Sequence, residues 1–203
     1  MPTEKSLAPG LLLAAPRLGD PNFERSVVLL ARHDEDGALG WVLNGRELLP
    51  VGTILRNANL VPPGVTLPKG GCYAHPARLG GPVMPGSAWV LYRRTESGTE
   101  YDGEHAIGVD YVMTSSREVV EAIARKEGPE EFHLFLGYAG WGPEQVEGEI
   151  QAGGWLPTDV PGGFLDRMTD APDAFWRYAY ESSLGVGPMA FTSLRAGARG
   201  PAS

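Results

Sequence analysis

Apolar residues in this chain come in runs of strand length, broken by glycine, proline and acidic turns, with helical spacing in only a few places. Gly10 to Pro16 reads as a first strand, closed by the proline. Leu18 to Phe23 is a turn initiated by Asp20-Pro21, with Phe23 able to fold back as an anchor. Ser26 to Arg32 (SVVLLAR) and Ala38 to Leu43 (ALGWVL) are apolar on both faces. That predicts a hairpin in the middle of a sheet, turned by His33-Asp34-Glu35-Asp36-Gly37. Val51, Ile54 and Leu55 have the i, i+3, i+4 spacing of a short helix over Val51 to Ala58. Asn59 to Gly71 is a Pro- and Gly-rich connection. A short strand near Cys72, a crossing at Gly80-Gly81-Pro82, a strand at Ala88 to Tyr92 and another at His105 to Met113 follow.

Ser115-Ser116-Arg117-Glu118 has the form of a capping box, opening a helix that buries Val119, Val120 and Ile123. A Glu121–Arg125 pair supports that helix, and Gly128 ends it. Phe132 to Leu136 reads as a buried strand that runs into a glycine-hinged loop, Gly137-Tyr138-Ala139-Gly140-Trp141-Gly142, with a helix from Pro143. Trp155 to Pro157 is a short strand, Gly162 to Leu165 an extended piece, and Pro172 to Ser182 the last helix. Strands and helices mix without regular βαβ alternation, which places the chain in the α+β class. At 203 residues it is read as one domain over residues 10–193, with a flexible N-terminus at 1–9 and a disordered tail at 194–203.

Composition narrows the function. A single cysteine, Cys72, forms no internal disulfide and fits a reducing compartment. No apolar run approaches a membrane span, so a soluble cytoplasmic protein is expected. The net charge is −8, and from Glu127 to Asp166 eight acids stand with no Lys or Arg. Such a surface repels phosphate backbones, so direct nucleic-acid binding is not expected.

The chemistry-bearing motifs are mostly absent. There is no Gly-x-Ser-x-Gly elbow, no phosphate-binding lysine loop and no dinucleotide fingerprint. Asp34 to Gly37 lacks the spacing of a calcium loop, and Cys72 with His75 lacks two further zinc ligands. No metal and no cofactor are expected. Glu144 in the first turn after Pro143 opposes an anion at that helix start. Several residues carry two readings. His33 is a base or a backbone-bonded turn residue, and Cys72 a thiolate or a packed thiol. Asn44 is a ligand donor or an Asx-turn residue, Gly81-Pro82 a ligand approach or a close packing, and Trp141 a stacking platform or a packing anchor.

Taken together, Pro16 to Ser26 (PRLGDPNFERS), His33 to Gly40 (HDEDGALG), Asn44, Gly80-Gly81-Pro82-Val83 and Leu136 to Pro143 (LGYAGWGP) with Gln145 resemble the AlgH/YqgE family of bacterial proteins. The resemblance implies coiled, branching, mostly antiparallel sheets with flanking helices, and a cytoplasmic protein. The family is often labelled a transcriptional regulator and has no agreed catalytic set. This chain departs from it in Gly45-Arg46 after Asn44, in Glu144 where glycine is usual, in an added segment around Cys72 to His75, and in Gly148 within a helix.

The expected function is that of a non-enzymatic binding or regulatory protein for a protein partner or small ligand. The expected recognition set is Asn44, Gly81, Pro82, Tyr138, Gly140, Trp141 and Gln145. Direct or indirect control of gene expression is the alternative, and a hydrolase or redox enzyme using His33 or Cys72 the second.

Overall fold

The computed structural model describes residues 6–94, 99–168 and 171–190. The tail expected at 194–203 lies outside them, as do residues 1–5 and part of the polar turn after Arg94. In chain order the elements are β1 (Gly10–Ala14), β2 (Val27–Asp34), β3 (Gly37–Val42), β4 (Glu47–Pro50), α1 (Val51–Asn57), β5 (Pro76–Leu79), β6 (Val83–Arg93) and β7 (His105–Ile107). They continue with β8 (Tyr111–Thr114), α2 (Arg117–Arg125), β9 (Phe132–Trp141), α3 (Gln145–Gln151), β10 (Trp155–Thr158) and α4 (Pro172–Leu184). This is an α+β protein with a mostly antiparallel sheet and flanking helices. Its contacts gather into two compact units of interleaved sequence, 1–38 with 42–44 and 141–203, and 39–41 with 45–140.

In the first unit β1 is flanked by antiparallel β10 and β2, and all five of its residues are buried. The apolar hairpin forms as expected, with Val27 to Leu30 fully enclosed. Helix α4 buries Phe175, Trp176, Ala179 and Tyr180. Trp176 Nε1–H and the Tyr180 hydroxyl both donate to the carbonyl of Ala14, each at 3.1 Å. Two buried polar groups thus satisfy the end of β1, as burial requires. Where an extended piece was expected at Gly162 to Leu165, Phe164–Arg167 forms a 3-10 turn. It carries Phe164 against Phe175, with centroids 4.9 Å apart.

The second unit orders its strands β4-β5-β9-β6-β8-β7, antiparallel except for β5 beside β9. Val51 and Leu55 of α1 and Val119 and Ile123 of α2 pack with Val90, Val112, Phe132 and Leu134. Several boundaries differ from the sequence reading. Cys72 lies in a 3-10 turn, Gly71–Tyr73, and the strand starts only at Pro76. His105 to Met113 is two strands, because Gly108 (φ 64°) turns the chain and leaves Val109 exposed at the tip. The cap of α2 is Ser116, not Ser115: Thr114 Oγ1 takes the Ser116 N–H at 3.0 Å, and Ser116 Oγ takes that of Glu118 at 3.2 Å. The helix closes on left-handed Lys126 before Gly128, and its i, i+4 pair is Arg117–Glu121.

The largest difference is β9. The expected strand and glycine loop are one strand of ten residues, and α3 begins at Gln145 after a left-handed Glu144. His133 on this strand is pushed down to about 4, by burial first and then by His75 and Arg78. The unfolded histidine, near 6.5, therefore takes up its proton first as pH falls. Stability from this group is complete above about pH 6.5 and is lost towards pH 4, by roughly 3 kcal/mol. Urea unfolding of wild type and His133→Gln across that window is the check: the variant should lose less stability per pH unit, and parallel curves would refute the assignment.

Candidate functional site

The expected recognition residues fall into two groups. Asn44, Trp141 and Gln145 belong to the first unit, and Gly81, Pro82, Tyr138 and Gly140 to the second. Asn44 is 7% exposed. Its Oδ1 accepts the N–H of Val27 at 2.8 Å, and its Nδ2 donates to the carbonyls of Arg25 and Pro172 at 2.9 and 3.0 Å. The amide thus joins the start of β2 to the start of α4. Trp141 is 6% exposed, stacked on Phe23 and edge-on to Trp155. One carboxylate oxygen of Glu149 accepts from both indoles, Trp141 at 3.1 Å and Trp155 at 2.7 Å. Its other oxygen accepts from Gln145 Nε2 at 2.9 Å, while Gln145 Oε1 takes the N–H of Gly142 at 3.0 Å.

His33 is equally committed. Its Nδ1 accepts the N–H of Leu7 at 3.1 Å, which leaves the ring proton on Nε2, donated to Glu147 at 2.7 Å. Neither ring nitrogen remains to serve as a base. In the second unit the Cys72 sulfur donates to the carbonyl of Glu130 at 3.5 Å and accepts the N–H of Phe132 at 3.4 Å. The acids between Glu127 and Asp166 are likewise distributed: Glu127 pairs with Arg125, Glu131 with Arg93, Glu147 with His33, and Glu149 holds the indoles. Among the described residues no three His, Cys, Asp or Glu side chains are grouped to hold a metal ion. Nor is any helix long and apolar enough to cross a membrane.

The second group converges on a bulge. Val83 pairs with Tyr138 and Ala88 with Leu136, so Met84 to Ser87 oppose the single residue Gly137. So large an excess on one strand forces it outward, a device common beside functional sites. Two glycines make it possible. Gly81 (φ 154°) lies directly against the backbone of Tyr138 and Ala139. Gly137 (φ 72°) lies under the carbonyls of Gly81 and Val83 and the Cα of Pro85. The turn is stitched by Ser87 Oγ–H to the carbonyl of Met84 at 2.8 Å, and by Trp89 Nε1–H to Ser87 Oγ at 3.3 Å. Beneath it, Trp89 packs edge-on to Tyr138 (6.0 Å) and against buried Trp41 (4.7 Å).

On this rigid base Pro82, Met84, Pro85 and Gly86 are exposed, as is Gly140 on β9. Met84 is 63% exposed and takes a left-handed conformation, φ 45°, although it is not glycine. The Tyr138 hydroxyl lies 4.0 Å from its sulfur. The sequence reading named Gly81, Pro82, Tyr138 and Gly140 and did not name Met84, Ser87 and Trp89, which lie beside them in the structure. The signal was present in Pro85-Gly86, a turn dipeptide directly before a strand pattern.

A mostly antiparallel sheet with flanking helices defines the α+β class of the chain. The AlgH-like family model matches residues 11–186, and the chain belongs to that family. Similar proteins include a UPF0301 protein of Anaeromyxobacter sp. (strain Fw109-5), 39% identical over 191 residues and 94% of each chain. One from Paracoccus denitrificans is 38% identical over 93% of this chain and 95% of its own. Among solved structures, AlgH from Pseudomonas aeruginosa is 30% identical with a TM-score of 0.70, covering 100% of this chain and 99% of its own. Protein DIP2367 from Corynebacterium diphtheriae shares the fold at 22% identity and a TM-score of 0.67, over 92% of each chain.

Proposed function

We propose that this chain is a non-enzymatic, cytoplasmic binding protein that docks a protein partner through the turn 82–87. The observation that carries the reading is Met84, an apolar side chain 63% exposed and held at φ 45°. A strained backbone at an exposed residue is retained only where surrounding structure fixes it, and such strain concentrates at functional positions. A projecting turn of Met and Pro beside Tyr suits insertion into a partner's groove, since Met and aromatic residues are enriched at interface cores. Small ligands instead favour concave sites. The absence of a catalytic role for His33 and Cys72 is part of the proposal, and is supported by the structural partners that each already holds.

A photo-crosslinking residue placed at Met84 should capture a discrete protein in cells, while the same probe at Val109, 92% exposed in the same unit, should not. Purified wild type should compete for that capture and Met84→Asp should not. Equal patterns at the two positions, or competition by the Asp variant, would overturn the reading.

Direct contact with DNA is not part of the proposal. Arg25, Arg32, Arg93, Arg94, Arg117 and Arg125 each stand within 4.0 Å of a carboxylate. These arginines are therefore poorly placed to displace counterions from a phosphate backbone. No sequence-specific electrophoretic shift is expected at sub-micromolar protein in physiological salt with competitor DNA, and a shift that survives those conditions would count against the proposal.

A further inference from the structure

We propose that Met84 is a peroxide-oxidised switch residue whose sulfoxide is captured by Tyr138, which rests on the proposed role of turn 82–87 as a docking surface. Oxidation of methionine follows access to its sulfur. Met84 is 63% exposed, whereas Met113 and Met168 are 0% and 2% exposed. Met189 is 74% exposed and is the other exposed methionine among the described residues.

The oxidant is a hydroperoxide. A sulfur lone pair attacks the terminal peroxide oxygen, and an S–O bond forms as the O–O bond breaks. A proton passes to the departing oxygen, releasing water from hydrogen peroxide or an alcohol from an organic hydroperoxide. Sulfur loses two electrons and the peroxide gains them.

The product changes the local chemistry in a defined way. A thioether is a weak acceptor, and the Tyr138 hydroxyl makes only a long contact with it, 4.0 Å. The sulfoxide oxygen is a strong acceptor attached to that same sulfur, within reach of the same hydroxyl. Backbone stitching through Ser87 and Trp89 is independent of the sulfur, so the turn keeps its shape. The tip changes from apolar to polar and pinned, which removes what an apolar groove would recognise.

The test treats the full-length protein alone with hydrogen peroxide and follows each methionine by peptide mass spectrometry and Tyr138 by NMR. Met84 should oxidise within a few-fold of Met189 and about 10-fold or more faster than Met113 and Met168. Ring resonances of Tyr138 should shift as Met84 oxidises, and should not shift in Met84→Leu. Reduction of Met84 sulfoxide by an added methionine sulfoxide reductase should be several-fold slower in wild type than in Tyr138→Phe, which should preserve the oxidation rate. Oxidation at the rate of the buried methionines, or a sulfoxide that leaves Tyr138 unmoved, overturns the proposal. No partner is present in this experiment, so its failure is distinct from failure of the crosslinking test.

Discussion

Trp141→Ala should destabilise the protein by about 3–5 kcal/mol, the range for truncating a large buried aromatic. The side chain is 6% exposed and packs against both Phe23 and Trp155, with centroids 5.9 and 6.2 Å away. Its loss opens a cavity and also removes one donor from the Glu149 carboxylate, which would then rely on Trp155 and Gln145. Truncating the acceptor is the complementary experiment. Glu149→Ala leaves two indole N–H groups without their partner, each costing about 1–3 kcal/mol where water cannot reach it. Glu149→Gln keeps an amide oxygen and should be clearly milder. Urea unfolding of the three variants measures all of this. If Trp141→Ala costs well under 1 kcal/mol, the residue is a contact residue rather than a packing one, and the recognition surface must extend beyond turn 82–87.

How far the sequence reveals this depends on whether a residue's neighbours are local. The hairpin of β2 and β3 was legible because its residues are apolar on both faces, a pattern that only a central position satisfies. Pro172 opening α4, with Phe175, Trp176, Ala179 and Tyr180 inward, was legible for the same kind of reason. The run from Gly137 to Trp141 was not: its glycines signal a loop, and the cause of Gly137 is the three-residue excess on β6, far away in sequence. Glu147 and Glu149 look like a solvated acidic face, yet one carboxylate holds His33 and the other holds two indoles. The partner of each lies elsewhere in the chain or on another element, so charge alone could not assign it. The two compact units were equally hidden, because the chain passes between them within β3 and at the end of β9 rather than through a linker. Of the site, the glycines and Tyr138 were visible as unusual residue types, while Met84 became visible only through its exposure and its positive φ.

Gly137→Ala should be costly for a reason that separates it from Gly86 in the turn itself. At φ 72° an alanine pays roughly 1–2 kcal/mol for the left-handed conformation alone. Its Cβ would also stand 2.7 and 2.9 Å from the carbonyl oxygens of Gly81 and Val83, and 3.1 Å from Cα of Pro85. Those are backbone atoms, so relief requires lifting the bulge, at about 1–3 kcal/mol of overpacking strain. A total loss of roughly 2–5 kcal/mol is expected by urea unfolding. Gly86→Ala is the control: nothing stands within 4 Å of its Cβ, and it should change stability by less than about 0.5 kcal/mol. The same pair tests presentation of Met84. A lifted bulge moves the Met84 sulfur away from the Tyr138 hydroxyl, so any Gly137→Ala protein that remains folded should lose capture at Met84 while Gly86→Ala retains it. Equal stability of the two variants would mean that Gly137 does not support the bulge, and the rigid presentation on which the docking proposal depends would have to be abandoned.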